Sequence, residues 1–284
     1  MSEAWASGRA AGYAAARAAA VRAAAVREAA VREAAAKGGD GPVGSAPPAL
    51  VACAHGTADP AGRRAIDALV AGVAGHPALA EQGVRVVAAY VDVQAPSPEA
   101  ALAVLPDGSA VLVPLLLSTG YHVQVDLSRA AESARVPTVV AAALGPDDRL
   151  VRLLADRLRD RPGSDLAADD DVRLVAAGSS RARSGADVAD MAARLAAQLG
   201  RDVRPAYLSA ADPLLADVVA ANRAAGRRTV ALSYLLAPGF FQNRLQAAGV
   251  AIGTDPVLAA DGPLPAELVA LVLDRYRAGV AALA

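Results

Sequence analysis

The stretch LVACAHGT at residues 50–57 is written a second time as LVAAGSSR at 174–181, and two further matches follow in the same order. AAYVDVQAP at 88–96 pairs with PAYLSAADP at 205–213, and LLSTGYHVQ at 116–124 pairs with LLAPGFFQN at 235–243. Three ordered matches imply a duplicated body. In each, an apolar run gives way to Gly, Ser, Asp or Pro, as at a strand that opens into a loop.

Working outward, short apolar runs at 50–53, 84–91, 111–117 and 138–142 read as strands, and 63–73, 98–105 and 125–134 between them read as helices. The order recurs as strands at 172–176, 203–208 and 229–236 with helices at 186–199, 214–224 and 242–248. The runs are continuous rather than alternating, which predicts parallel sheets buried on both faces. The expected fold class is α/β, with two similar lobes, each a parallel sheet flanked by helices, the first of order 2-1-3-4.

Residues 2–37 carry alanine with Val-Arg pairs at five-residue steps (Val21-Arg22, Val26-Arg27, Val31-Arg32), a helix-forming composition without a coiled-coil seam. GGDGPVGSAPP at 38–48 follows with the composition of a linker. The expected division is an Ala-rich helical extension and linker at 1–48, an N-terminal lobe carrying the chemistry at 49–160, and a degenerate repeat lobe at 161–284.

The 284-residue chain has 28 Lys+Arg against 29 Asp+Glu and is 55% hydrophobic, so it can bury a large core but offers no basic field to nucleic acid. No apolar run reaches the roughly 18 residues of a membrane span, and arginines interrupt the N-terminal alanines where a secretory signal would be continuous. The single cysteine, Cys53, forms no internal disulfide and reads as small core filler inside the first strand. A cytoplasmic protein, monomeric or a weak homo-oligomer, is expected. Neither GxGxxG after the first strand nor a GxxxxGK phosphate loop occurs, so nucleotide-driven chemistry has no support.

The repeat is asymmetric in its chemistry. His55 aligns with Ser179, Asp92 with Ser209 and His122 with Phe241, so at these three positions only the first lobe keeps an ionisable group. His55 follows the first strand and His122 the third, adjacent strands in the expected order, so both imidazoles should meet at the carboxyl edge of one sheet. Imidazole binds divalent metals and accepts protons near neutral pH, which suits metal handling coupled to proton removal. Asp92 stands at the same edge, as a cation-attracting group or a loop cap. Asp126, four residues beyond His122, would share its helix face. His76, in the turn Gly75-His76-Pro77, reads as an ordinary loop histidine. The turns holding Gly56, Thr57, Arg63 and Arg64, and their counterparts Ser179, Ser180, Arg181 and Arg183, could present N–H groups and guanidinium to carboxylates.

AHGTADP at 54–60, YVDVQAPS at 90–97 and VPLLLSTGYHVQVDL at 113–127 resemble the sirohydrochlorin chelatase family of small class II chelatases, and the resemblance extends over roughly 50–273. It implies a chelatase-like fold with a cleft between the lobes, and ATP-independent insertion of a divalent metal into sirohydrochlorin for sirohaem or cobalamin. His55 and His122 would bind the metal and assist deprotonation, with Asp92 as a third catalytic group. The family usually has Glu there, one methylene longer. Fe²⁺ is the expected metal and Co²⁺ the alternative, as substrate, with no other cofactor. Substrate contacts are expected from Gly56, Thr57, Ser118, Thr119, Gly120, Tyr121 and Phe241, with apolar walls from Leu116, Leu117, Tyr121, Phe240 and Phe241. Two other readings are a non-catalytic tetrapyrrole- or metal-binding protein using the same cleft, and a periplasmic-binding-like module, which offers no reason for paired histidines.

Overall fold

A computed structural model describes residues 46–120, 125–161, 163 and 165–284. The Ala-rich extension at 1–45, Tyr121 and His122 lie outside them.

The first sheet comprises β1 (Ala49–Ala54), β2 (Val86–Tyr90), β3 (Ala110–Pro114) and β4 (Thr138–Val140), all parallel in the order β2-β1-β3-β4. The second comprises β5 (Asp171–Ala176), β6 (Arg204–Tyr207), β7 (Thr229–Tyr234) and β8 (Ile252–Gly253), in the order β6-β5-β7-β8. Every residue of β1, β3, β5 and β7 is buried, as continuous apolar runs require of strands covered on both faces. The expected α/β fold of two parallel-sheet lobes is the observed one.

Helices α1 (Pro60–Ala74), α2 (Pro77–Ala80), α3 (Pro98–Ala103) and α4 (Leu127–Glu132) connect the first sheet. Local capping sets their starts. Asp59 accepts from the N–H groups of Ala61 and Gly62 with Pro60 in the first turn, Ser97 caps α3, and the His76 ring accepts from Ala78 N–H at 3.3 Å. His76 is thus a cap for α2. Two helices without a counterpart in the sequence reading follow the sheets: α5 (Asp148–Arg159) after the first and α9 (Ala266–Leu283) after the second. Between them lie α6 (Ala182–Leu199), α7 (Leu215–Ala224) and α8 (Phe240–Ala247). No helix among the described residues is long and apolar enough to cross a membrane.

The two late helices are exchanged between the lobes. α5 packs on α6 and β7 of the second lobe, whereas α9 returns to β3, β4 and α1 of the first. Gly279 lets α9 approach, because a Cβ there would stand 2.3 Å from a Val111 methyl. Arg275 donates to the carbonyls of Ala143 and Leu144, and the Tyr276 hydroxyl donates to the Pro48 carbonyl at 2.6 Å. A cut at 160/161 therefore keeps each set of strands together but separates each sheet from one of its covering helices. The inner faces of both sheets share one apolar core, which includes Leu50, Val111, Leu150, Leu174, Leu232 and Leu271. The outer faces are capped separately: Val51, Cys53 and Leu112 pack with Leu102 and Leu127, and Val175 and Ala231 with Leu215 and Leu245. Burial pushes the Cys53 thiol well above its ordinary range, so it stays protonated filler.

At the far end of the second sheet Asp171 is buried on β5 and accepts from Arg173, from Arg204 at 2.7 Å and from Asn222 at 2.6 Å. Burial opposes its ionisation. Hydrogen bonds from Arg173 and Asn222, with the charges of Arg173 and Arg204, outweigh that and hold the carboxyl below the usual carboxylate range. A depressed folded value gives stability that is complete above the unfolded value, about 3.9, and is lost as pH falls below it towards the folded value. Asp171→Asn should cost about 3 kcal/mol at pH 7, because it leaves buried guanidinium unpaired, and should flatten the loss of stability below about pH 4. Denaturant unfolding across pH checks both; an unchanged midpoint at pH 7 would contradict the role.

Candidate functional site

His55 is the first residue past β1, exposed at the carboxyl edge of the sheet, with Nδ1 3.4 Å from the Gly56 carbonyl oxygen. Its loop is fixed from several sides. Gly56 has φ +94°, and a Cβ there would lie 2.0 Å from the Asp92 carbonyl oxygen, so only glycine permits the approach. Asp92 N–H donates to the His55 carbonyl at 2.9 Å. Thr57 is wholly engaged: its N–H donates to Gln94 Oε1 at 2.8 Å, its hydroxyl accepts from Asp59 N–H, and its carbonyl accepts from Arg63 Nε. The N–H expected to meet a substrate carboxylate is thus spent on Gln94. Arg63 closes the loop, and Arg64 faces Asp261 at 3.7 Å across an exposed surface.

Asp92 is exposed, and its Oδ1 accepts from Val93 N–H at 2.8 Å. Its backbone meets the His55 loop while its carboxylate folds the turn that follows, which is the loop-cap arrangement. Gln94 went unnoticed in the sequence because an amide signals no chemistry; its place two residues after Asp92 was the only hint.

The second lobe repeats this mounting without the reactive groups, and its strand register places Ala177 opposite His55 and Ser179 opposite Thr57, two residues off the alignment expected from the sequence. Gly178 has φ +99°, and a Cβ there would stand 1.6 Å from the Ser209 carbonyl oxygen, the counterpart of the Gly56–Asp92 approach. Ser179 accepts from Arg181 N–H, and the Ser209 hydroxyl donates to the Ala177 carbonyl.

The loops after β3 and β7 close the mouth between the lobes by reciprocal contacts. Ser118 Oγ lies 3.1 Å from Ser184 Oγ, and Thr119 N–H donates to Asp187 Oδ2 at 2.7 Å on α6. In return, the Pro238 carbonyl faces Gly62 of α1, where a Cβ would come within 2.4 Å, and Gly239 sits against Thr57. The Tyr234 hydroxyl donates to the Leu117 carbonyl at 2.6 Å. Burial pushes that phenol well up, with nearby Asp187 adding to the shift, so it remains a donor. Leu117 is buried in the shared core rather than lining a wall, Leu116 and Gly120 are half-buried, and Phe241 is half-buried beside the exposed Phe240.

His55, Gly56, Thr57 and Asp92 therefore meet at one edge, with Ser118, Thr119 and Gly120 on the adjacent strand end and Phe241 across the lobe contact. The expectation that His55 and His122 face each other, and the role given to Tyr121, fall outside the described residues. Asp126 precedes α4 without a capping bond to it. Among the described residues no three His, Cys, Asp or Glu side chains converge as a metal cluster.

The CbiX family model matches residues 49–161 and 171–252, more than half of the chain. The chain belongs to the CbiX family, the sirohydrochlorin chelatases. Three solved structures share the fold. SirB from Bacillus subtilis with Fe³⁺ is 20% identical with a TM-score of 0.62, over 83% of this chain and 96% of that one. CbiX, described as the terminal enzyme for biosynthesis of sirohaem in denitrifying bacteria, is 22% identical with a TM-score of 0.55, over 81% and 98%. DR2241 from Deinococcus radiodurans, a multi-domain protein with structural similarity to chelatases, is 20% identical with a TM-score of 0.58, over 82% of this chain and 55% of that one. No curated protein sequence gives a significant match. Family membership makes this CbiX-type chain a chelatase of tetrapyrrole biosynthesis.

The mirrored glycines give a test of which lobe works. Gly56→Ala and Gly178→Ala should each destabilise by about 1–3 kcal/mol, since both force a positive φ and a backbone clash. Turnover per folded molecule should collapse only in Gly56→Ala. Equal losses in the two variants, measured beside thermal unfolding, would contradict a single working lobe.

Proposed function

We propose that the protein inserts Fe²⁺, with Co²⁺ as the alternative, into sirohydrochlorin without ATP, in the cytoplasmic synthesis of sirohaem or cobalamin. The observation that carries this reading is the exposed His55, held at the carboxyl edge of β1 by a glycine-dependent loop and set beside the turn that leads to Phe240 and Phe241. The mirrored position, one residue before the positive-φ glycine, holds Ala177, so the reaction is assigned to one lobe.

The chemistry is an exchange of protons for a metal ion. A divalent ion enters the macrocycle as the inner pyrrole N–H protons leave, one for each of its charges, so the charge within the ring is unchanged. Neutral imidazoles of His55 and His122 serve both halves: each offers a lone pair to the ion and accepts a proton when the ion passes to the ring nitrogens. The second lobe supplies apolar surface for the ring face. Asp92, exposed behind His55, raises the local concentration of cations. Nothing in this exchange requires a nucleotide, in keeping with the lack of a phosphate loop.

His55→Ala and His122→Ala should each lower anaerobic metal insertion into sirohydrochlorin at least about 100-fold, the usual contribution of a positioned proton acceptor. Thermal unfolding of His55→Ala should match the parent, since an exposed side chain contributes little to the core. Absorbance of the metallated ring reports turnover with each ion. Full activity in both variants would remove the site; tight ring binding by the unaltered protein without turnover would favour a carrier.

A further inference from the structure

We infer that Phe240 and Arg244 form a docking element for a flat, polycarboxylate macrocycle, the ring face resting on Phe240 and a rim carboxylate taken by Arg244. The inference rests on the chelatase reading and extends it to two residues of the lobe without histidine. Both phenylalanines of the protein occur side by side here, at the start of α8. Phe241 packs against the outer core of the second lobe, while Phe240 is 68% exposed, its ring edge-on to Phe241 at 5.3 Å. Folding gains little from an aromatic left in water, so Phe240 is a surface that something else must cover.

Arg244 lies one helical turn further on, with its guanidinium carbon 5.8 Å from the Phe240 ring centre. It is exposed, and among the described residues it has no carboxylate partner, unlike Arg135, Arg149, Arg194 and Arg204. A guanidinium held over an aromatic face keeps its N–H fork free for an incoming carboxylate. The mount is rigid. Gln242 between them is buried, accepting from Ser233 Oγ at 2.7 Å and donating to the Thr254 carbonyl at 3.0 Å. The element adjoins the reacting edge along the chain, because Gly239, which precedes Phe240, abuts Thr57, two residues from His55. An aromatic plate with one forked cation beside it matches a disc that is apolar on its faces and anionic on its rim.

The test titrates metal-free sirohydrochlorin into the unaltered protein and into Arg244→Ala, Arg244→Lys and Phe240→Ala, with steady-state Co²⁺ insertion measured in parallel. Arg244→Ala should raise Kd and KM about tenfold with kcat within about twofold, the loss of one charge-assisted contact. Arg244→Lys should recover only part of that affinity, since a point charge lacks the fork. Phe240→Ala should weaken binding several-fold at all salt concentrations, whereas the Arg244 effect should shrink with added salt. Unchanged Kd and KM in Arg244→Ala, with the unaltered protein active, would overturn the docking element and leave the chelatase reading standing. Failure of the unaltered protein to bind or metallate the ring would remove both.

Discussion

A parallel sheet has two apolar faces to hide, and neither half of this chain covers both of its own. The solution is the exchange of α5 and α9, each of which packs on the sheet of the other lobe. Leu150 and Leu154 of α5 and Leu271 and Val272 of α9 thereby join the inner faces of both sheets in one core. Separating the lobes would expose this shared layer to water, at a cost proportional to its apolar area. The carboxyl edges of β1 and β7 are consequently held in fixed relation, and the contacts across the mouth, Thr119 to Asp187 and Gly239 to Thr57, can be short and specific.

On that frame the proposed chemistry falls to one lobe. Both keep the backbone device in which a glycine at positive φ lets one strand-end loop press on the next, Gly56 on Asp92 and Gly178 on Ser209. Only the first lobe places an imidazole on it. The second lobe, with Ala177, Ser209 and Phe241 in the corresponding positions, offers apolar and hydrogen-bonding surface instead. The close approach stabilises the loop whichever side chain it carries, whereas an unused histidine contributes little to folding.

Much of the fold was legible because buried parallel strands write themselves as continuous runs such as LVACA and AVLVP, and because the duplication repeats them in order. α5 is legible in principle, since DRLVRLLADRLR carries Leu150, Val151, Leu154, Ala155 and Leu158 at helical spacing, but it lies beyond the last repeat match of its lobe. β8, two residues long, is too short for any periodicity. The exchange of α5 and α9 is a tertiary choice with no local signature. At the site, His55 could be found because imidazole is rare in this chain, with only three histidines. The engagement of Thr57 with Gln94, and the turning of the Asp92 carboxylate into its own loop, depend on packing between two loops 37 residues apart.

The central claim is that metal is handled at His55 in the first lobe and nowhere in the mirrored lobe. Anomalous scattering from crystals soaked in Co²⁺ tests it most directly. The account predicts an anomalous peak about 2.1 Å from an imidazole nitrogen of His55, as for nitrogen-bound divalent ions generally, and none near Ala177 or Phe241. A peak confined to the second lobe, or its absence from His55 in crystals of protein that metallates the ring, would contradict it.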